Sequence, residues 1–342
     1  MTTTAPTEEL FDCRTAFAEA LSELAQENPR VIAVCNDSVG SSNLVGFAKA
    51  FPKRIVNVGI AEQDMVGVAA GLANAGFVPY VCGAAPFLTG RALEQIKVDI
   101  AYSAAHVVLC GMSPGVAYGE LGPTHHALED LSWLRAIADL NIATPADPDQ
   151  TKAAVRWALQ NDVPTYIRVP RTKVPSLGAA VGSPIAALEL RQGHDIALLA
   201  LGPMASAARS AADRLADQGV RARVVVFNSL RPLDSVAIAR AALETRAIVT
   251  IEEGTTTGGF GAAVAQWCAE NHPIPMRIIG AREQFAPTGS AEYLLAHFHL
   301  DPEGIATAAL EIFNAVNHAP APHSTPNDSS ASSASTYGGD QR

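Results

Sequence analysis

Apolar and polar positions along this chain follow two rhythms that take turns. Phe11, Phe17, Ala18, Leu21, Leu24 and Ala25 recur at helical spacing and predict an amphipathic helix over residues 8–27. Val31-Ile32-Ala33-Val34-Cys35 is a continuous apolar run, short enough for a strand buried on both faces. A polar loop, Asn36–Asn43, follows at the carboxyl end of that run. The pattern then predicts a helix over Leu44–Ala50, a strand over Ile55–Val58, a helix from Glu62 to Asn74 and a strand over Val78–Val81. It continues with a helix over Gly90–Ser103, a strand over His106–Cys110, and a Gly/Pro-rich loop from 111 to 126. Loops of that length in compact domains are usually functional. A helix (Ala127–Ala138), a strand (Asn141–Thr144), a helix (Pro148–Gln160) and a strand (Thr165–Val169) complete the series.

Pro170, Pro175, Pro184, Gly178 and Gly182 interrupt the pattern. A second series follows, with strands at Ile196–Leu201, Ala222–Phe227, Ala247–Ile251 and Met276–Ile279. Its helices are Met204–Gln218, Leu233–Leu243, Phe260–Asn271, Ala291–His297 and Pro302–Asn317. This alternation predicts an α/β protein of two doubly wound domains with mostly parallel sheets. We expect a tail over 1–9, a first domain over 10–175, a linker over 176–192 and a second domain over 193–317. Residues 318–342, rich in Pro, Ser, Ala and His, are expected to be disordered.

The length of 342 residues suits two domains, and 48% hydrophobic against 17% charged residues supports a large core. A net charge of −10 without a basic patch argues against nucleic acid. No apolar run reaches the roughly 18 residues of a membrane span. The N-terminus lacks the basic and apolar regions of a signal peptide. Five scattered cysteines, none in a Cys-x-x-Cys pair, fit free thiols in a reducing cytoplasm.

One stretch stands out chemically. Val56–Met65 reads as a short strand, a glycine turn and the first turn of a helix, with Glu62 among small apolar neighbours. Burial there would raise the carboxyl's pKa and let it share a proton with a partner. A Glu in a first helical turn equally complements the helix dipole.

Asn57-Val58-Gly59-Ile60-Ala61-Glu62-Gln63 resembles the glutamate motif of thiamine-diphosphate enzymes of the transketolase type. Pro86 to Ile96, with Phe87, Arg91 and Gln95, resembles that family's Phe…Arg-Ala-x-(Asp/Glu)-Gln segment. Gly122-Pro123-Thr124-His125-His126 is similar to its Gly-Pro-Thr-His-Gln stretch. Pro164–Arg171 looks like the strand that closes the pyrimidine-binding domain, and Glu252-Glu253-Gly254 with Gly258–Gly261 looks like the C-terminal domain. The motifs come in family order over about residues 10–315.

The resemblance implies roles. Glu62 would bond the ring nitrogen of the coenzyme's aminopyrimidine and favour the imino tautomer that removes the thiazolium proton. Phe87 would stack on that ring, with Ile60 beside it. Phe87 also suits a core aromatic. His125 would contact the donor carbonyl or hydroxyl, against a structural role in the loop. Arg171 would bind the substrate phosphate by bidentate bonding, with a surface ion pair as the equal alternative. Ser42 would add a hydroxyl there. Arg91, a further candidate for the substrate pocket, equally suits a helix-surface charge or a subunit contact, and so does Glu94.

Two departures matter. Transketolases place Gly-Glu-Asp-Gly before Pro-Thr-His, and here Leu121 stands for the aspartate. Ser113 stands where they commonly place a histidine. Losing two polar groups from one pocket weakens recognition of ordinary pentose and hexose phosphates and implies an unusual sugar. The family's Gly-Asp-Gly motif, which holds Mg²⁺ and the diphosphate, is missing from the sequence. The resemblance therefore implies the second half of a split transketolase. An N-terminal partner subunit would carry the diphosphate domain, and an α2β2 assembly would place the site at the interface. The beta subunit of a 2-oxo acid dehydrogenase shares the two domains and the glutamate, but Thr124–Asp130 favours the transketolase branch. A 1-deoxyxylulose-phosphate synthase fragment and a non-catalytic scaffold are the remaining alternatives, and retention of Glu62 speaks against the scaffold.

Overall fold

The structure is a computed structural model that describes residues 9–178, 182–282 and 284–318. The tails expected at 1–9 and 318–342 lie, apart from Glu9 and His318, outside those residues. The first half runs β1 (Leu10–Phe11), α1 (Cys13–Glu27), β2 (Val31–Cys35), α2 (Val45–Ala50), β3 (Ile55–Asn57), α3 (Glu62–Asn74) and β4 (Val78–Ala84). After β4 come π-helical turns at Phe87–Arg91 and Ile96–Tyr102, separated by a single turn, α4 (Leu93–Gln95). Then follow β5 (Val108–Met112), α5 (Asp130–Arg135), β6 (Asn141–Ala143), α6 (Pro148–Gln160), β7 (Thr165–Val169) and β8 (Val174–Pro175). The second half runs β9 (Leu188–Arg191), β10 (Ile196–Leu201), α7 (Ala205–Ala216), β11 (Ala222–Phe227), β12 (Ser229–Arg231), α8 (Ser235–Glu244) and β13 (Ile248–Thr255). It closes with α9 (Phe260–Asn271), β14 (Met276–Ala281), α10 (Ala291–His297) and α11 (Pro302–His318).

The local reasons are ordinary. β2, β4, β5 and β7 are buried at every position, and β2 and β5 accordingly read as apolar runs, while β7 also buries Thr165 and Arg168. On α1 the buried Cys13, Ala16, Phe17, Ala20, Leu21, Leu24 and Ala25 form one stripe. Asp147 caps α6 by accepting from the Gln150 amide at 2.8 Å, and Pro148 occupies the first turn.

The strands form two sheets and a small β1–β8 ribbon. The first sheet has the order β12-β6-β7-β5-β4-β2-β3, parallel except for β12. The second has the order β14-β13-β10-β11-β9, parallel except for β9. The α/β reading with mostly parallel sheets therefore holds. One apolar core runs through both halves and joins Leu131, Leu134 and Ile137 to Phe227, Leu230 and Phe260. All five cysteines are free and buried.

The differences from the expected elements have identifiable causes. The helix expected over Gly90–Ser103 begins three residues earlier and is largely π-helical. Gly90 packs against Trp133, whose ring would lie 2.8 Å from a Cβ at that position. The helix expected over Ala127–Ala138 shrinks to α5, because other segments use the backbone before it. Ala127 bonds Gly115 in both directions, and the Leu128 carbonyl accepts from the Thr255 amide at 2.7 Å. Strand β9 falls within the stretch expected as linker. Strand β12 comes from the second half but pairs with β6 of the first sheet, with Ser229 opposite Ala143 and Arg231 opposite Ile142.

Candidate active site

Five parallel strands of the first sheet end at one edge, and each delivers a side chain or a loop there. The register aligns Cys35 with Asn57 and Cys82, Ala84 with Met112, and Met112 with Val169. In open α/β sheets ligands bind beyond the carboxyl ends of the strands.

Glu62 opens α3 just past β3 and is 1% exposed. Its Oε1 accepts from Asn36 Nδ2 at 3.0 Å, and Arg91 closes on its Oε2. Asn36 is the first residue after β2. Its own Oδ1 accepts from the Ser38 amide at 3.0 Å, which fixes the amide for Glu62. Burial disfavours the charge on Glu62. Hydrogen bonds from Arg91, from its own backbone and from Asn36, together with the Arg91 charge, outweigh burial and hold the carboxyl below the usual glutamate range. This corrects the expectation from sequence that burial raises it. The reason is a cation 29 residues further along the chain.

Arg91 also lies over the Phe87 ring, with its guanidinium carbon 4.9 Å from the centroid. Phe87 is half-buried and meets His125 edge to face, with centroids 5.1 Å apart. His125 meets Tyr118 at 6.2 Å, and Arg171 lies over Tyr118 at 4.9 Å. Glu62, Arg91, Phe87, His125, Tyr118 and Arg171 thus form one row, from a buried carboxylate at one end to a guanidinium at the other. Thr124 Oγ1 and His125 Nδ1 are 2.9 Å apart.

At the Arg171 end lies a cavity of about 350 Å³ lined by Tyr118, Leu121, Arg171, Ser290 and Ala291. Leu121 is 55% exposed. Arg14, at the start of α1, adds a second cation. It is bonded to Asp12 through Nε at 3.0 Å and Nη2 at 2.6 Å, and to the Ser41 carbonyl at 3.1 Å. Arg171 is near enough to Asp12 for its charge to act on that carboxyl. A larger cavity of about 500 Å³ lies away from this row, beside Arg277, His299, Asp301 and Glu311.

The structure therefore brings Glu62, Phe87, Arg91, His125 and Arg171 together. Arg91 sits at the Glu62 end rather than in the cavity beside Arg171. Ser42 and Ser113 are fully buried, with hydroxyls that find no partner among the described residues, so neither lies on the cavity wall. Ile60 is 75% exposed at the mouth beside Glu62. Sequence reasoning missed Asn36, Arg14 and Tyr118. Only Asn36, the first polar residue after a buried run, carried a signal.

An aminopyrimidine fits the Glu62 end, which offers a buried charged acceptor and an aromatic face within one site. Among the described residues no group of three or more His, Cys, Asp or Glu could hold a metal ion. No described helix is long and apolar enough to cross a membrane.

Residues 10–176 match the family profile "Transketolase, pyrimidine binding domain", and residues 186–305 match "Transketolase, C-terminal domain". The chain is 42% identical to an apulose-4-phosphate transketolase subunit of Phocaeicola vulgatus, over 88% of this chain and 97% of that protein. It is 35% identical to the 6-deoxy-6-sulfo-D-fructose transketolase subunit SqwH of Clostridium sp. (strain MSTE9), over 87% of this chain and 94% of the relative. A solved structure titled as a split gene transketolase, inactive beta4 tetramer, superposes with a TM-score of 0.81 at 36% identity. It covers 88% of this chain and 98% of the other.

Proposed function

The chain belongs to the transketolase family, and we propose that it supplies the pyrimidine site and the sugar pocket of a split enzyme acting on an unusual anionic ketose. The observation that carries this reading is the row of side chains. It links a carboxylate suited to the aminopyrimidine with a guanidinium suited to an anionic substituent.

Glu62 would accept from the aminopyrimidine nitrogen, a role that Arg91 now fills at Oε2. Phe87 would present its ring to the same heterocycle, near Ile60. Bound thiamine diphosphate would supply a nucleophilic carbon able to take up and pass on a two-carbon unit. His125, next along the row, stands where a donor carbonyl or hydroxyl would lie and could donate to it as charge develops. Arg171, with Arg14 behind it, would hold the anionic end of the sugar. Leu121 offers the pocket a methyl-rich surface in place of a carboxylate, so a hydroxyl at that point finds no acceptor. The relatives are named for apulose-4-phosphate and for 6-deoxy-6-sulfo-D-fructose. A ketose of that kind, anionic and unusually substituted, is the donor class we infer, with an aldose as acceptor.

Mg²⁺ and the diphosphate would be held mainly by an N-terminal partner subunit, in an α2β2 assembly. The solved relative described as a tetramer of β chains is titled inactive, which supports the need for that partner. The test is calorimetric titration of thiamine diphosphate and Mg²⁺ into this chain, alone and mixed with a diphosphate-domain subunit. Transfer from the candidate ketoses is assayed on the mixture. We expect tight binding and transfer only in the mixture, and severe loss of transfer in Glu62→Gln. Tight Mg²⁺-dependent binding by this chain alone, or full transfer by Glu62→Gln, would overturn the assignment.

A further inference from the structure

Strand β13 carries two consecutive carboxylates near its end, Glu252 and Glu253, both buried. Successive strand residues point to opposite faces, so the two acids serve different partners. Glu252 accepts from the Phe260 and Gly261 amides at 2.6 and 2.7 Å and caps α9. Glu253 turns the other way, into the first half of the chain. Its Oε1 accepts from the Val116 amide at 2.8 Å.

Val116 lies two residues before Tyr118, in the loop that also carries His125. The base of that loop is tied in several places. Gly115 and Ala127 exchange hydrogen bonds of 3.0 and 2.9 Å, and the Gly289 amide donates to the Gly119 carbonyl at 3.2 Å. Gly115 has φ +64, and a Cβ there would lie 2.1 Å from Glu253 Oε1. Only glycine lets the carboxylate approach so closely. A buried carboxylate is costly to retain, so its retention calls for a reason. The charged groups around it are few. Arg168 bonds the Glu253 carbonyl at 2.8 Å and acts on its carboxyl, Asp130 lies beside Arg168, and Glu252 is its chain neighbour.

We propose that Glu253 is a positioning residue of the sugar pocket: from the second half of the chain it clamps Val116 and thereby sets where Tyr118 stands between His125 and Arg171. The proposal rests on the reading of that row as the sugar-binding site. It gives the C-terminal domain a part in substrate recognition without any contact with substrate.

The test uses the assembled enzyme with its partner subunit and the variants Glu253→Gln and Glu253→Ala. Gln keeps an acceptor for the Val116 amide and Ala removes it. Losing a hydrogen bond to a charged group predicts a fall in kcat/KM for the sugar of about 10- to 100-fold in Glu253→Ala, carried mainly by KM. Glu253→Gln should stay within about threefold of wild type, and thiamine diphosphate affinity should not move in either variant. Residue-resolved amide exchange on the wild type should show the Val116 amide protected well beyond those of residues 118–120, and Glu253→Ala should release it. Unchanged KM in the Ala variant, equal damage in Gln and Ala, or parallel loss of coenzyme affinity would overturn the proposal. If Glu253→Ala does not assemble, fast exchange of the Val116 amide in the wild type would overturn it instead. A wild-type assembly that transfers nothing would defeat the reading of the site, while the exchange measurement would still judge the clamp.

Discussion

Arg91 is the side chain on which the charge of Glu62 depends, and Arg91→Ala isolates that dependence. Burial of the carboxyl and the Asn36 bond would remain, and the cation would go. Two unit charges about 4 Å apart interact by roughly 4 kcal/mol at an effective dielectric constant of about 20. The Arg91 side chain is 47% exposed, so water screens the pair toward the ~1 kcal/mol of a surface ion pair. Removing Arg91 therefore withdraws about 1–2 kcal/mol of stabilisation from the charged carboxylate. The Glu62 pKa should therefore rise in the variant, since desolvation now has less to oppose it. The assay is carbon-13 NMR titration of the chain labelled at glutamate carboxyls, with the Glu62 resonance assigned from Glu62→Gln. The sign for stability follows. A lowered folded pKa contributes stability that is present above the unfolded value and lost as pH falls through the folded one. Arg91→Ala should lower Tm at pH 7 and converge with wild type in acid, once Glu62 is protonated in both. An unchanged or lower Glu62 pKa would refute the reasoning. Coenzyme affinity gives an independent reading, because a ring nitrogen would have to replace Arg91 at Oε2. The variant should then bind coenzyme no more weakly than wild type in the assembled enzyme.

Three further outcomes are expected. Burial pushes the Glu252 carboxyl up to about 7 despite its amide donors, well above the usual glutamate range. Its contribution to stability is thus full below about pH 4.5 and lost as pH rises through 7, on the order of 3 kcal/mol. Tm should fall between about pH 4.5 and 7 and level off above, and Glu252→Gln should flatten that slope. Arg168 is fully buried and holds Asp130 through Nε at 2.9 Å and Nη2 at 3.1 Å, and Tyr166 also donates to Asp130 at 2.7 Å. Arg168→Met should cost about 3–5 kcal/mol in urea unfolding by leaving that carboxylate unpaired. Leu121→Asp, at an exposed position, should leave folding intact. It should raise kcat/KM for ordinary ketose phosphates about tenfold relative to the enzyme's own substrate. No relative gain would count against Leu121 as a selector.

Much of this architecture was legible because buried parallel strands have no polar face to hide. Val31–Cys35 and Ile196–Leu201 appear where their apolar runs lie. Strands β9 and β12 escaped, being short, edge-placed and partly polar, with partners far away in the chain. The start of the Phe87 helix escaped because a π-helical turn obeys neither the 3.6-residue nor the two-residue period. Glu62, Phe87, His125 and Arg171, which the structure gathers into one row, were singled out through local motifs. The charge state of Glu62 was not, since it is set by Arg91 and Asn36 across the fold. Tyr118 carried no signal, because a tyrosine in a glycine-rich loop becomes informative only once Arg171 is seen above it.

Strand β12 bears on how this protein can be cut and recombined. Three residues that follow β11 of the second sheet complete the edge of the first. A cut anywhere in 176–192, where proline and glycine invite one, would strip β6 of its neighbour and leave an open strand edge prone to self-association. Hybrids that exchange the C-terminal portion with a relative should therefore take their crossover after Arg231, so that the first sheet keeps its own edge strand.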